Sequence, residues 1–362
     1  MDAGKSLREH GLRIGELEPG PAGSIADVEG VRVGHVTVIR DEPDPPDGRG
    51  VARSGVTAIV PGPVERLWAE PLPAGVAVLN GAGELTGALE IAEWGLLSTP
   101  VYLTATMSLG RVFDGAVAAA VAAEPRLGRG RVVIPVVGEC DDSDLNDARV
   151  VQVEAEDAGR AVANAAESAG VAEGAVGAGT GMICFDWKGG IGSSSRVTGE
   201  GHRVGILVLT NFGSRSDLRV DGVPIGQLLA ASEEPSSRAP AGSCIAVVAT
   251  DAPLGSAQLT RVARRAGLGL ARTGSVAHHG SGEIFVAFST TARGPRGEPT
   301  PPTLPDARLD PIFHATVDAS EEAVLNALWR AETTRGRGGR VVERLPHEPV
   351  LELLAGHGRL RG

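Results

Sequence analysis

Apolar runs recur along the chain, and their spacing separates two kinds of element. "GVRVGHVTVI" (30–39), "GVTAIVP" (55–61), "GVAVLN" (75–80), "TPVYLTA" (99–105), "RVVIPVVG" (131–138), "HRVGILVLTN" (202–211), "SCIAVVAT" (243–250) and "GEIFVAFST" (282–290) are short and rich in β-branched residues, which predicts strands. Several are apolar at successive positions, as in a sheet covered on both faces. A helical period governs 255–272, where Leu259, Val262, Ala263, Ala266 and Leu270 form one stripe and Ser256 stands as the expected N-cap. A second helix is predicted over 320–334, opening on Ser320 and two glutamates at the positive dipole end, with Ala323, Val324, Ala327, Leu328 and Ala331 inward. Further helices are expected at 155–169 and in the alanine-rich 114–123. Loops fall at 41–50, 231–242 and 293–311; none is long enough to be a linker between domains, so 1–362 reads as a single domain.

Composition sharpens this picture. With 51 glycines and 3% aromatic residues in 362, the core must be built from Ala, Val, Leu and Ile in closely approaching layers. A net charge of −11 argues against a nucleic-acid partner, since phosphate binding needs clustered cations. "RGRGGR" (335–340), the one local basic cluster, reads as a solvated C-terminal turn. Cys140, Cys184 and Cys244 show no metal-ligand spacing and are odd in number, so neither a disulfide framework nor a zinc site is expected, and no cofactor. The N-terminal residues lack an apolar signal core, and nowhere do 18 apolar residues run together; the expectation is a cytoplasmic protein with no membrane span.

Two candidate motifs lose their force on inspection. "GAVGAGTGMI" (174–183) has Met182 where a dinucleotide-binding turn needs its third glycine, so it reads as a glycine-rich turn packing against another backbone. His278 and His279 are adjacent, and neighbours in an extended segment point to opposite faces, which makes a poor metal pair. The join Gly242-Ser243 is more informative. A polar, proline-bearing loop precedes it and a core strand follows, the contrast expected where a precursor is cut to free a new N-terminus. Glycine at 242 tolerates the twisted backbone that attack by the next hydroxyl requires.

These residues sit within a wider pattern. "DVEGVRVGHVT" (27–37), "LNGAGELTG" (79–87), "PVVGE" (135–139), "EGAVGAGTGMICFDWKGGIGSSSR" (173–196), "LTNFG" (209–213), "GSCIAVVATDAPL" (242–254) and "GSGEIFVAFST" (280–290) resemble the L-aminopeptidase/D-amidase-esterases and β-peptidyl aminopeptidases, over almost the whole chain. The resemblance implies an α/β fold, a four-layer α/β/β/α sandwich similar to that of N-terminal-nucleophile hydrolases. It also implies self-cleavage between Gly242 and Ser243 into an α chain (1–242) and a β chain (243–362), and homo-oligomers of αβ units. Ser243 would then be the nucleophile, its freed α-amino group the base. Its ordinary pKa of about 7.7–8.0 suits that work. Ser281 and Glu283 match the family's Ser-x-Glu relay, which would orient the amine and hydroxyl of Ser243. Asn211 matches an oxyanion-hole donor, and Glu139 the carboxylate that holds the substrate's ammonium. Asp141 stands where some members carry a tyrosine; with Asp142 and Asp144 it makes the expected pocket acidic. The expected substrates are small peptides, amides or esters. Nylon-oligomer (6-aminohexanoate) hydrolysis and ornithine-acetyltransferase-like acyl transfer are alternatives, but such enzymes use threonine as nucleophile. An unprocessed binding protein is a third.

Overall fold

The structure is a computed structural model that describes residues 4–168, 170–230, 241–298 and 301–361. The stretch 231–240, most of the loop expected ahead of the strand at 243–250, lies outside the described residues. In chain order the strands are β1 (Arg32–Asp41), β2 (Val51–Val60), β3 (Leu72–Gly81), β4 (Leu96–Leu97), β5 (Val101–Ala105), β6 (Val136–Cys140), β7 (Ile183–Cys184), β8 (Trp187–Lys188), β9 (Ile191–Val197), β10 (Arg203–Asn211), β11 (Ala241–Thr250) and β12 (Gly280–Ser289). They form a four-stranded sheet, β1-β2-β5-β6, and a six-stranded sheet, β4-β3-β12-β11-β10-β9, while β7 and β8 pair as a short hairpin. The long helices are α1 (Leu109–Ala123), α2 (Glu156–Glu167), α3 (Ser256–Arg272) and α4 (Asp310–Arg330).

Alternation along the strands sorts the apolar residues into three layers of contact. Ile245 and Val247 of β11 meet Leu207, Ile284, Ile59 and Leu103 between the two sheets. The intervening Cys244, Ala246 and Val248 face Leu259, Val262, Val324 and Leu328 of α3 and α4. On the far side, Val56, Ala58 and Tyr102 meet Val112, Ala116, Ala158 and Ala161 of α1 and α2. The order is therefore helices, sheet, sheet, helices, the expected α/β/β/α sandwich. Strands buried on both faces explain the continuous apolar runs, each fully buried Val, Leu or Ile contributing about 1.5–3 kcal/mol.

Several elements differ from expectation for identifiable reasons. Helix α4 begins ten residues early, with Pro311 in its first turn, where a missing N–H costs nothing. Ser320, Glu321 and Glu322 thus lie mid-helix and buried; Glu322 is tolerated there because Arg8 and Arg196 both pair with it. Ser256 is the first helical residue rather than the cap, which is Gly255, whose N–H donates to Gln258 Oε1 at 3.1 Å. The strand expected at 131–138 starts only at Val136. Strand β9, "IGSSSRV", has no apolar pattern yet is buried along its length but for Val197; its hydroxyls bond to the Ile206 carbonyl, Glu322 and Asp27. Thr106–Ala123, which includes α1, is long and apolar enough to cross a membrane by length and composition; here α1 buries Val112, Gly115 and Ala116.

Glycine lets the layers touch. A Cβ on Gly192 of β9 would come 1.9 Å from the Ala323 carbonyl oxygen of α4, so Gly192→Ala must push helix from sheet. We expect it to destabilise the fold by about 1–3 kcal/mol, the usual range for overpacking, read as a lower midpoint in urea with an unchanged slope.

Candidate active site

Strand β11 enters the six-stranded sheet between β10 and β12, and that placement assembles the site. Ser243 is opposite Asn211 of antiparallel β10 and opposite Gly282 of parallel β12, and Gly242 is opposite Ser281. The Gly242 φ is +154°, and a Cβ there would lie 1.7 Å from the Asn211 carbonyl oxygen. No other residue fits without moving the neighbouring strand. Ser243 is 6% exposed, and its hydroxyl accepts the Gly282 N–H at 3.3 Å.

That hydroxyl opens into a cavity of about 630 Å³ whose lining includes Gly83, Glu139, Asp141, Asn211, Ser243 and Arg337. Glu139, at the end of β6, is 4% exposed. Its Oε1 accepts the Glu84 N–H at 2.8 Å, and its Oε2 accepts the Thr106 hydroxyl. Burial raises its pKa against the lowering effect of those two donors. A methyl group on Gly83 would lie 3.1 Å from Glu139 Oε1 and 3.9 Å from Ser243 Oγ, so carboxylate and hydroxyl border one small space. An ammonium placed there would supply the charge that a buried carboxylate lacks.

The Asn211 amide is held at both ends. Its Oδ1 accepts the Ile183 N–H at 2.9 Å and its Nδ2 donates to the Asp141 carbonyl at 2.8 Å. An amide has two N–H donors, so one remains for the cavity. Behind Ile183 lies a residue that no motif in the sequence singles out. Fully buried Lys188 donates from Nζ to the carbonyls of Gly179, Met182 and Gly189 at 3.0, 2.8 and 2.8 Å. Burial lowers its pKa to about 7. Lys188 thus ties the glycine-rich turn at 177–181, which does pack on other backbone, to the β7–β8 hairpin that presents Ile183.

Ser281 and Glu283 lie beside the Gly242–Ser243 bond as a hydrogen-bonded pair. The Ser281 hydroxyl donates to Glu283 Oε1, and the pair is 1% and 0% exposed. Glu283 is in register with Cys244, and both lie on the helix-facing side with Phe285. Ser243 alternates with Cys244 and opens on the other side, toward Glu139. The pair therefore flanks the Gly242–Ser243 peptide from the face opposite the hydroxyl. Burial raises the Glu283 pKa, opposed by the Ser281 hydroxyl.

The acidic cluster is also dispersed. Asp141 lines the cavity but turns its carboxylate to the Ser143 N–H and hydroxyl at 2.9 and 3.0 Å. Asp144 pairs with Arg340 at 2.7 Å. Asp142 is buried beside Asn146, whose Nδ2 it accepts at 3.0 Å. Tyr102, the single tyrosine, is buried on the α1 and α2 side of the other sheet, so no tyrosine serves the site.

The chain is similar to known proteins over most of its length. Residues 23–342 match the model of peptidase family S58. The beta-peptidyl aminopeptidase BapA of Sphingosinicella microcystinivorans is 41% identical, over 95% of this chain and 90% of its own. A Burkholderia sp. beta-aminopeptidase superposes with a TM-score of 0.86 at 41% identity, over 97% of this chain and 98% of its own. The L-aminopeptidase D-Ala-esterase/amidase of Ochrobactrum anthropi, described as a prototype serine aminopeptidase and a variant of the Ntn hydrolase fold, gives 0.89 at 37%, over 98% and 99%.

Beneath the site, burial pushes the Asp142 carboxyl up to about 7. A carboxyl whose folded pKa is raised binds more protons folded than unfolded between about pH 4 and 7, so its contribution to stability falls as pH rises through that window. The Tm of the wild type relative to Asp142→Asn should therefore drop between about pH 5 and pH 8. A difference independent of pH would contradict the burial argument.

Proposed function

Since the chain belongs to peptidase family S58, we propose the following division of labour for a self-processing serine aminopeptidase and amidase. The observation that carries it is the Gly242–Ser243 bond, placed at the start of a central strand between Asn211 and the Ser281–Glu283 pair and opening on the Glu139 cavity. In the continuous chain the Ser243 hydroxyl attacks the Gly242 carbonyl, the peptide nitrogen leaves protonated as an α-amine, and water hydrolyses the resulting ester. The products span 1–242 and 243–362 and stay associated, because β11 remains bonded to β10 and β12.

In turnover the freed α-amine takes the proton of its own hydroxyl, and Ser243 Oγ attacks the substrate carbonyl. The remaining Asn211 N–H receives the negative charge that develops on oxygen. The amine then returns the proton to the leaving group, and water releases the acyl group. Ser281 and Glu283, on the opposite face from the hydroxyl, serve the amine: their hydrogen-bonded pair holds it once the peptide is cut. Glu139 binds the ammonium of the residue to be released. Small peptides and amides fit such a site. The aminopeptidase relatives and serine at 243 support this reading over nylon-oligomer hydrolysis and acyl transfer.

Denaturing intact mass should resolve two chains for the wild type, the second beginning at Ser243, and one unbroken chain for Ser243→Ala. An unbroken wild-type chain would sink the mechanism. Glu139→Gln should lower kcat/KM for aminoacyl p-nitroanilides at least tenfold, mainly through KM, as loss of a charged hydrogen-bond partner costs about 1.5–3 kcal/mol; an unchanged KM would remove Glu139 from substrate binding.

A further inference from the structure

The basic cluster "RGRGGR" is more than a solvated turn. It joins β13 (Thr334–Arg335) to β14 (Val341–Val342) and is pinned to the acidic loop at 141–147. The Arg337 N–H donates to the Leu145 carbonyl and the Gly336 N–H to the Arg340 carbonyl, both at 2.8 Å. Arg340 pairs with Asp144, and a Cβ on Gly336 would come 2.5 Å from the Leu145 carbonyl oxygen. This backbone anchoring puts the exposed Arg337 side chain at the mouth of the cavity whose buried wall carries Glu139.

The two arginines that line the cavity are not equivalent. Arg149 is committed: its Nε and Nη2 bond both oxygens of Asp147, and its Nη2 also reaches Asp44 at 2.7 Å. Arg337 forms no ion pair within 4.0 Å among the described residues; it only helps Arg149 to lower the pKa of Asp147. Its guanidinium therefore has donors to offer a ligand. A planar fork of N–H groups suits a carboxylate, which it takes in two parallel hydrogen bonds.

We propose that Arg337 forms a carboxylate subsite for the leaving-group end of the substrate. It rests on the aminopeptidase reading and deepens it. A short peptide has an ammonium at one end and a carboxylate at the other. Glu139 inside and Arg337 at the mouth form a matching pair of opposite charges across one cavity of about 630 Å³, a volume typical of small-ligand pockets. The preferred substrate class is then the short free-acid peptide, ahead of the same peptide with a blocked C-terminus. Because Arg337 is exposed, the preference weakens as salt rises.

The test compares kcat/KM for a dipeptide, its C-terminal amide and the p-nitroanilide of the same N-terminal residue, in mature wild type, Arg337→Gln and Arg337→Lys. Intact mass checks that each variant has cleaved. The wild type should favour the free acid over the amide by about five- to tenfold, through KM. That ratio should fall to near one in Arg337→Gln and recover to an intermediate value in Arg337→Lys. Equal rates for acid and amide in the wild type, or a preference that survives in Arg337→Gln, would overturn the subsite. Failure of the wild type to hydrolyse the p-nitroanilide at all would instead overturn the aminopeptidase reading, and the subsite with it.

Discussion

The site depends on how closely the Gly242 backbone approaches β10. With the Asn211 carbonyl where a side chain would begin, β11 keeps its neighbours and its register only if residue 242 has no Cβ. That register places Asn211 and Gly282 on either side of Ser243, and Ser281 beside the Gly242–Ser243 bond. A slip of one residue would turn the Ser243 hydroxyl from the cavity into the helix-facing core. The three-strand contact is thus both the support of the sheet and what holds Ser243, Asn211 and Ser281 together.

Because successive residues of a strand face opposite ways, the sheet divides the chemistry. The hydroxyl, Asn211 and Glu139 border the space between the sheets, whereas Ser281 and Glu283 are in register with Gly242 and Cys244, on the opposite face of the sheet from the hydroxyl. A nucleophile that is also a chain terminus can use both sides, since its amine stands on the backbone and its hydroxyl on the side chain. An internal serine would need a base on its own face. Among the groups bordering the cavity, Glu139 is held by two donors and Asp141 is turned toward Ser143.

Buried ionisable groups hold this arrangement in place. Lys188 gathers the carbonyls of Gly179, Met182 and Gly189, and Glu322 gathers Arg8 and Arg196 where α4 meets β9. Removing one partner from such a group leaves the others desolvated and unpaired, at a cost of several kcal/mol. These residues specify where segments distant in sequence must meet, while the small aliphatic core supplies the general drive to fold.

Burial on both faces writes itself into a strand as a continuous apolar run, so the principal strands β1, β2, β3, β5, β10, β11 and β12 could be read from the amino-acid sequence, as could the stripe of α3. Gly242-Ser243, Asn211, Glu139, Ser281 and Glu283 could also be named from it, because the resemblance attaches each to a short local motif. Strand β9 could not: its serines and arginine carry no apolar pattern, and their partners, Ile206, Asp27 and Glu322, lie elsewhere in the sequence, Glu322 126 residues from Arg196. Nor could the early start of α4, the role of Lys188 or the position of Arg337, each of which depends on partners remote in sequence. Which side of the sheet each catalytic candidate faces was likewise decided by tertiary structure alone. Local sequence determines which residues form a strand, but only strand pairing determines what its two faces meet.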